Sequence, residues 1–306
     1  MIIDCAHYKD GHRRDGGPVP LEEASARREE GGFIWLGLFE PGEEELAQVR
    51  QSFGLHELAV EDALNFHQRP KIETYDSGMR LLILRTARYN DDTEKIDFGQ
   101  VSVFISPTFV ITVRQGEASK LGEVRQRLEQ RPELLAVGSS SALWAILDEV
   151  VDDYAPVIAG LERDIDEIEA TVFSGSVAPT ERIYSLRSEA TDFYRAVHPL
   201  LGVVATVKRT TVAQPLKPYL RDVQDHLLLV EEEVTAQRDM LGTVLQANMA
   251  VLSVEQTRVG VRQNATIEQL TILATVFLPL LMLYLWLRRR TRTTAVPAPP
   301  AADPGR

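Results

Sequence analysis

Cysteine is almost absent from this 306-residue sequence. The single one, Cys5, excludes an internal disulfide and any multi-cysteine metal centre, and it is expected in a reducing compartment. Basic residues are also in short supply: 33 Lys and Arg face 45 Asp and Glu, for a net charge of −12. That sign argues against a nucleic-acid partner, whose phosphates need cations, and favours traffic with cations. Catalytic signatures are missing as well. There is no P-loop, no Gly-x-Ser-x-Gly and no Gly-x-Gly-x-x-Gly, and His56, His67 and His226 do not follow a zinc-binding spacing. An enzyme is not expected. The first thirty residues hold no apolar run of signal-peptide length, which places the amino terminus in the cytoplasm.

Long apolar runs are scarce too, and 44% hydrophobic with 25% charged residues is a globular composition that argues against a polytopic membrane protein. One run stands out. Residues 270–287, LTILATVFLPLLMLYLWL, carry no charge and are followed at once by Arg288, Arg289 and Arg290. At about 1.5 Å per residue such a helix is about 27 Å long, just under the roughly 30 Å hydrocarbon core. Residues 288–306 sum to +4, so the preceding residues carry −16.

The pattern predicts an α+β fold: an N-terminal mixed α/β cytoplasmic domain, then a long helical stalk continuing into a C-terminal membrane helix. Residues 1–32, rich in Gly and charge, read as loop with a short strand at 1–4. Residues 33–38 read as a strand, followed by a helix with Glu43, Glu44 and Glu45 in its first turn and Gly54 at its end. A short helix is expected over 55–65, and strands over 79–89, 100–105 and 109–114, the last two as a hairpin. These make a domain over 1–118. Beyond it no strand is expected, and Pro132, Gly138, Pro179, Pro215 and Pro218 divide an acidic helical region over 119–218. The stalk, 219–269, carries Leu220, Val223, Leu227, Val230, Val234, Leu241, Val244 and Val251 at a 3-4 spacing interrupted by Gln237 and Asn248. A membrane segment at 270–287 and a basic, Pro-rich, disordered tail at 288–306 complete the chain.

Two stretches could carry chemistry. In LHELAVEDALNFHQRPKIE, Glu57 and Glu61 share a helical face beside Asp62, a donor set that suits a hard divalent cation; the same spacing also fits a solvated acidic face with Leu58 and Leu64 packed beneath. An acidic helix over 148–169 holds nine carboxylates against Arg163. Like charges at i,i+4, as for Asp148 with Asp152, destabilise a helix by a few tenths of a kcal/mol per pair. A bound divalent cation would offset that cost, as would packing alone.

LHELAVEDALNFHQRPKIETY, the LDEVVDDY that begins at Leu147, the PYLRDVQDH that begins at Pro218 and the QLTILATVFLPL that begins at Gln269 together resemble the CorA family of magnesium and cobalt transport proteins, in the same order and over most of the chain. The resemblance implies a homopentamer in the cell (inner or plasma) membrane, with a cytoplasmic α/β domain, a stalk that becomes the pore-lining span, and a second span. It implies Mg²⁺ as regulator and cargo, with Co²⁺ as a further cargo. Glu61 and Asp62 match carboxylates at inter-subunit regulatory metal sites, and Asp148 matches a carboxylate facing them. Asn264, Leu270, Thr271 and Leu278 are the pore-lining candidates. The stalk position that supplies a second acidic ligand in the family falls here on Gln246 or Ser253, neither of them acidic.

The membrane region departs further. The family follows the Pro-Leu of its first span with a Gly-Met-Asn loop and a second span, whereas Pro279-Leu280 here runs straight into LMLYLWLRRR. A single crossing from a cytoplasmic body would also deliver Arg288, Arg289 and Arg290 to the outer side, against the positive-inside tendency. The expected function is divalent-cation transport gated by cytoplasmic metal, with little autonomous transport because the selectivity loop is absent. The alternative is a non-conducting, membrane-tethered metal-sensing or regulatory subunit. Expected partners are further copies or a full-length paralogue, and membrane lipid.

Overall fold

The computed structural model describes residues 1–15, 17–66, 68–116 and 120–292. Two units are present, Met1–Asn248 and a second that begins at Met249. The first is built on one seven-stranded sheet, entered by β1 (Ile2–Lys9) and β2 (His12–Arg13). Helix α1 (Leu21–Arg27) leads to β3 (Phe33–Phe39), α2 (Glu43–Phe53) and α3 (Glu57–Leu64), and then come β4 (Lys71–Thr74), β5 (Arg80–Asn90), β6 (Lys95–Ser106) and β7 (Phe109–Gln115). Helices α4 (Leu121–Glu129), α5 (Pro132–Leu135), α6 (Ser139–Asp152), α7 (Tyr154–Phe173) and α8 (Thr180–Thr210) follow, and α9 runs over Lys217–Arg292.

Local chemistry explains the boundaries. Helix α2 opens with Glu43, Glu44 and Glu45 against the positive end of the helix dipole and stops at Gly54, whose φ of 67° is left-handed and costs glycine little. Helix α3 is capped by His56, whose Nδ1 accepts the Leu58 N–H at 3.2 Å. The β6–β7 turn is pinned by Ser106 Oγ, which accepts the N–H groups of Thr108 and Phe109, each at 3.2 Å.

The strand order is β2-β1-β3-β7-β6-β5-β4, antiparallel except where β3 lies parallel to β7. Alternation along β3 sorts the helices into two layers. Ile34, Leu36 and Leu38 join Leu81, Ile83, Phe104, Ile111 and Val113 in one core with Ala24, Leu46, Val49, Phe53, Ala59 and Ala63, which come from α1, α2 and α3. Trp35 and Gly37 point the other way. There the Arg125 guanidinium of α4 lies 4.5 Å from the Trp35 ring centroid and donates to the Trp35 carbonyl at 3.2 Å. Helix α6 packs beside α4 on that side, and Tyr154 at the start of α7 donates its hydroxyl to the Arg85 carbonyl while meeting Phe193 of α8 edge-on at 5.2 Å.

Three expectations need correction. The first 32 residues are not mainly loop: Asp10 and Gly11, at φ 53° and 78°, turn β1 back onto β2, and α1 follows. Asp-Gly is a strong hairpin turn signal, hidden here among charged neighbours. The acidic helix over 148–169 is two helices. Pro156 lacks an N–H and its ring would clash with the carbonyl four residues back, so α6 ends at Asp152 and α7 begins at Tyr154. Finally, α9 continues through Arg288 to Arg292, with Arg290 stacked 4.9 Å from the Trp286 ring centroid one turn back. The tail expected to be disordered lies, from 293 on, outside the described residues, as does His67.

The early part of α9 carries the expected seam. Leu220, Val223, Leu227, Val230, Val234, Leu241 and Val244 are buried. Its two polar interruptions are buried as well, and each has a partner. Gln237 Nε2 donates to the Ile158 carbonyl of α7 at 3.0 Å. Asn248 accepts the Ala178 N–H at 3.0 Å and donates to the Ala178 carbonyl at 3.1 Å and to Thr180 Oγ1 at 3.2 Å. In the second unit the apolar segment is exposed throughout, and among the described residues α9 is the one helix long and apolar enough to cross a membrane.

Candidate functional site

Glu61 and Asp62 sit on the last turns of α3, and the structure separates their roles. Glu57 and Glu61 are exposed, with no side-chain partner among the described residues. Asp62 accepts from Lys71 Nζ at 2.8 Å and from Gln68 Nε2 at 3.2 Å, and Lys71 also reaches Glu73 at 3.0 Å. Burial works against the Lys71 ammonium, but its hydrogen bonds to Asp62 and Glu73 win and raise its pKa. A metal ion approaching α3 therefore finds Glu61 open and Asp62 already satisfied. The expected packing beneath this face is only half present: Leu64 is partly buried against the core, while Leu58 is 58% exposed.

Asp148 lies across the sheet from them. It lines a cavity of about 460 Å³ with Arg127, Arg131, Trp144 and Asp152. Its carboxylate has no hydrogen-bond partner among the described residues, because Arg127 pairs with the neighbouring Glu149 and Asp152 faces His226 Nδ1 at 3.6 Å. Burial, reinforced by the charges of Asp152 and Asp222, pushes the Asp148 pKa up from 3.8 to about 6. An under-neutralised, half-buried carboxylate of this kind suits a cation.

Within one chain these carboxylates do not converge. Helix α3 is on the Ile34 face of the sheet and α6 on the Trp35 face, and among the described residues no group of three or more His, Cys, Asp or Glu could hold a metal ion. Lys71 is the residue that sequence reasoning missed; it sits in the same motif, but its hold on Asp62 depends on how β4 meets α3.

Asn264, Leu270, Thr271 and Leu278 all lie on the part of α9 in the second unit. Positions 264, 271 and 278 are seven apart and share one face, with Leu270 beside it. Thr271 Oγ1 is turned back onto the Ile267 carbonyl at 2.7 Å, and Leu270 and Leu278 are 60% and 58% exposed.

A family model described as CorA-like Mg²⁺ transporter protein matches residues 30–283. The cobalt/magnesium transport protein CorA of Thermotoga maritima is 25% identical over 284 residues, covering 91% of this chain and 79% of its own. YfjQ of Bacillus subtilis is 28% identical over 266 residues, covering 86% and 79%. Among solved structures, full-length CmaX matches with a TM-score of 0.70 at 19% identity, covering 92% of this chain and 85% of its own. The CorA magnesium transporter of Methanocaldococcus jannaschii matches at 0.64 and 17%, covering 94% and 87%. At these identities the structures establish a shared fold.

Proposed function

The chain belongs to the family of CorA-like Mg²⁺ transporter proteins, and from that premise we propose that it is a divalent-cation transport protein of the cell membrane, assembled as a homopentamer, with Mg²⁺ as regulator and cargo and Co²⁺ as a further cargo. The observation that carries this reading is α9, one helix that begins with a buried seam and ends in an apolar segment that no described residue buries. Five such segments, wrapped by lipid, would place Asn264, Thr271 and Leu278 along an axial path, with Leu270 and Leu278 as apolar constrictions. The −16 carried by residues 1–287 draws cations towards it.

Regulation follows from where the carboxylates sit. Glu61 with Asp62 on one face of the sheet and Asp148 on the other can meet only between copies. A cation shared by Glu61 of one copy and Asp148 of the next offsets their repulsion and holds the closed arrangement, and its loss lets the copies separate. Glu61 is the freer ligand, because Lys71 occupies Asp62.

The chain is expected to conduct weakly by itself, since no Gly-Met-Asn follows Pro279-Leu280. Purified chain in liposomes with an internal Mg²⁺ indicator tests both points. The expected result is a pentamer by native mass spectrometry with flux well below that of a full-length relative. A strictly monomeric chain would overturn the assembly, and flux equal to the relative's would overturn the argument from the loop. The same junction favours a second reading, a non-conducting metal-sensing subunit that joins full-length copies. Co-purification with a full-length family member and reduced uptake on co-expression would support it; a conducting homopentamer would exclude it.

A further inference from the structure

A cavity of about 370 Å³ lies at the amino end of α6, bordered by the β6–β7 turn and by the residues that follow α8. In a chain of net charge −12, no Asp or Glu among the described residues lines it. Instead it gathers donors that no described residue satisfies. Arg80, from the start of β5, lines it with a buried Nε that has no hydrogen-bond partner, and its guanidinium has no carboxylate within ion-pair reach among the described residues. Ser139 and Ser140 line it too, each only 8% exposed, and neither hydroxyl has a partner among the described residues.

The helix itself adds to this. The first N–H groups of an α-helix have no partner within it, and a side chain normally caps one of them. Here the cap position is Gly138, at φ 106° and ψ −159°, with no side chain to offer, and only Ser141 N–H turns back, to the Gly138 carbonyl at 3.0 Å. An uncapped, buried helix start and a partly buried guanidinium with no partner among the described residues border the same cavity, and each is costly alone. Together they form a receptor for negative charge at the positive end of a helix dipole.

We propose that this cavity binds an oxyanion of the phosphate class, held by the Arg80 guanidinium, the Ser139 and Ser140 hydroxyls and the open N–H groups of α6. The volume exceeds that of one phosphate group and falls in the range of small-ligand pockets. The bound species is therefore free phosphate or the phosphate end of a phosphorylated small molecule.

The test is calorimetric titration of the full chain in detergent with inorganic phosphate and, separately, with adenosine monophosphate, at constant ionic strength set by chloride. The wild type is expected to bind, and Arg80→Gln to bind about tenfold more weakly, as loss of a charge-assisted contact implies. Tighter binding of the monophosphate identifies a phosphorylated molecule; equal binding identifies free phosphate. A melting experiment guards against a merely structural Arg80. Without phosphate, Arg80→Gln should melt no lower than the wild type, and added phosphate should raise only the wild type. Ser139→Pro, which removes one N–H and one hydroxyl at a helix position where proline is well tolerated, should also weaken binding. No binding at millimolar phosphate, or equal binding by wild type and Arg80→Gln, overturns the proposal.

Discussion

Within α9, Leu220, Leu227, Val234 and Leu241 are fully buried against the chain's own helices, whereas Ile267, Leu270, Leu273, Phe277 and Leu281 are between 56% and 61% exposed. The residue types are alike and only the partners differ. In the first unit apolar area leaves water against the same chain, at about 25 cal/mol per Å². In the second it is left exposed by the described residues, and on the proposed function lipid or other copies cover it. Stability of the first unit is therefore a property of one chain, and on the proposed function stability of the second is a property of the assembly.

This contrast can be broken most forcefully at Phe193, which is fully buried and meets Tyr154 edge-on. Phe193→Ala should cost the first unit about 3–5 kcal/mol in a denaturant titration. Phe277→Ala should leave the same transition within about 0.5 kcal/mol of wild type and change only the oligomer distribution in detergent. A comparable loss from both would erase the distinction.

Gly160→Ala comes next. A Cβ there would lie 2.1 Å from the Tyr89 ring, so α7 or the ring must shift, at an expected cost of about 1–3 kcal/mol in the same titration. Asn248→Ala should cost about 1–3 kcal/mol by stranding the Ala178 N–H and carbonyl, and the Ala178 amide should exchange faster in hydrogen-exchange experiments. Unchanged exchange would mean that Asn248 fills space without holding the α7–α8 turn.

The smallest effect sharpens the link to metal. The folded pKa of Asp148 lies above its ordinary value of 3.8, so its contribution to stability is fully present below that value and is lost as pH rises through about 6. Above that, in metal-free protein, the ionised carboxylate is a burden on the order of 1 kcal/mol once solvent screening is allowed for. Asp148→Asn should therefore stabilise the metal-free chain at pH 7.5, flatten its melting temperature between about pH 4 and 6, and reduce the stabilisation by added Mg²⁺. An unchanged Mg²⁺ response would remove Asp148 from the regulatory site.

What could be read beforehand was what local chemistry dictates. The strand at Phe33, the Ser-Pro-Thr hairpin and the stop at Gly54 were legible because alternation and turn residues act over a few positions. The β1–β2 hairpin is harder to read although Asp10-Gly11 marks it, because an outer strand rich in charge does not resemble a buried one. Pro156 marked the break between α6 and α7, yet a run of carboxylates suggested one continuous helix. At the candidate metal site, the residue types and their motifs were visible in the sequence. That Lys71 claims Asp62, and that α3 and α6 occupy opposite faces of the sheet, depends on contacts between distant segments that no short pattern encodes.

The parallel pairing of β3 with β7 has a consequence for synthesis. Leu36 and Thr112, bonded across that pair, are 76 positions apart, and every other strand pairing in the sheet is antiparallel and far more local. At about 5–20 residues per second, the ribosome needs roughly 4–15 s after delivering β3 before β7 exists to cover it. During that interval the nascent chain presents the bare edge of Phe33–Phe39, one of its most apolar strands. Production of this protein should therefore depend on a chaperone at the exit tunnel, well before any membrane is reached.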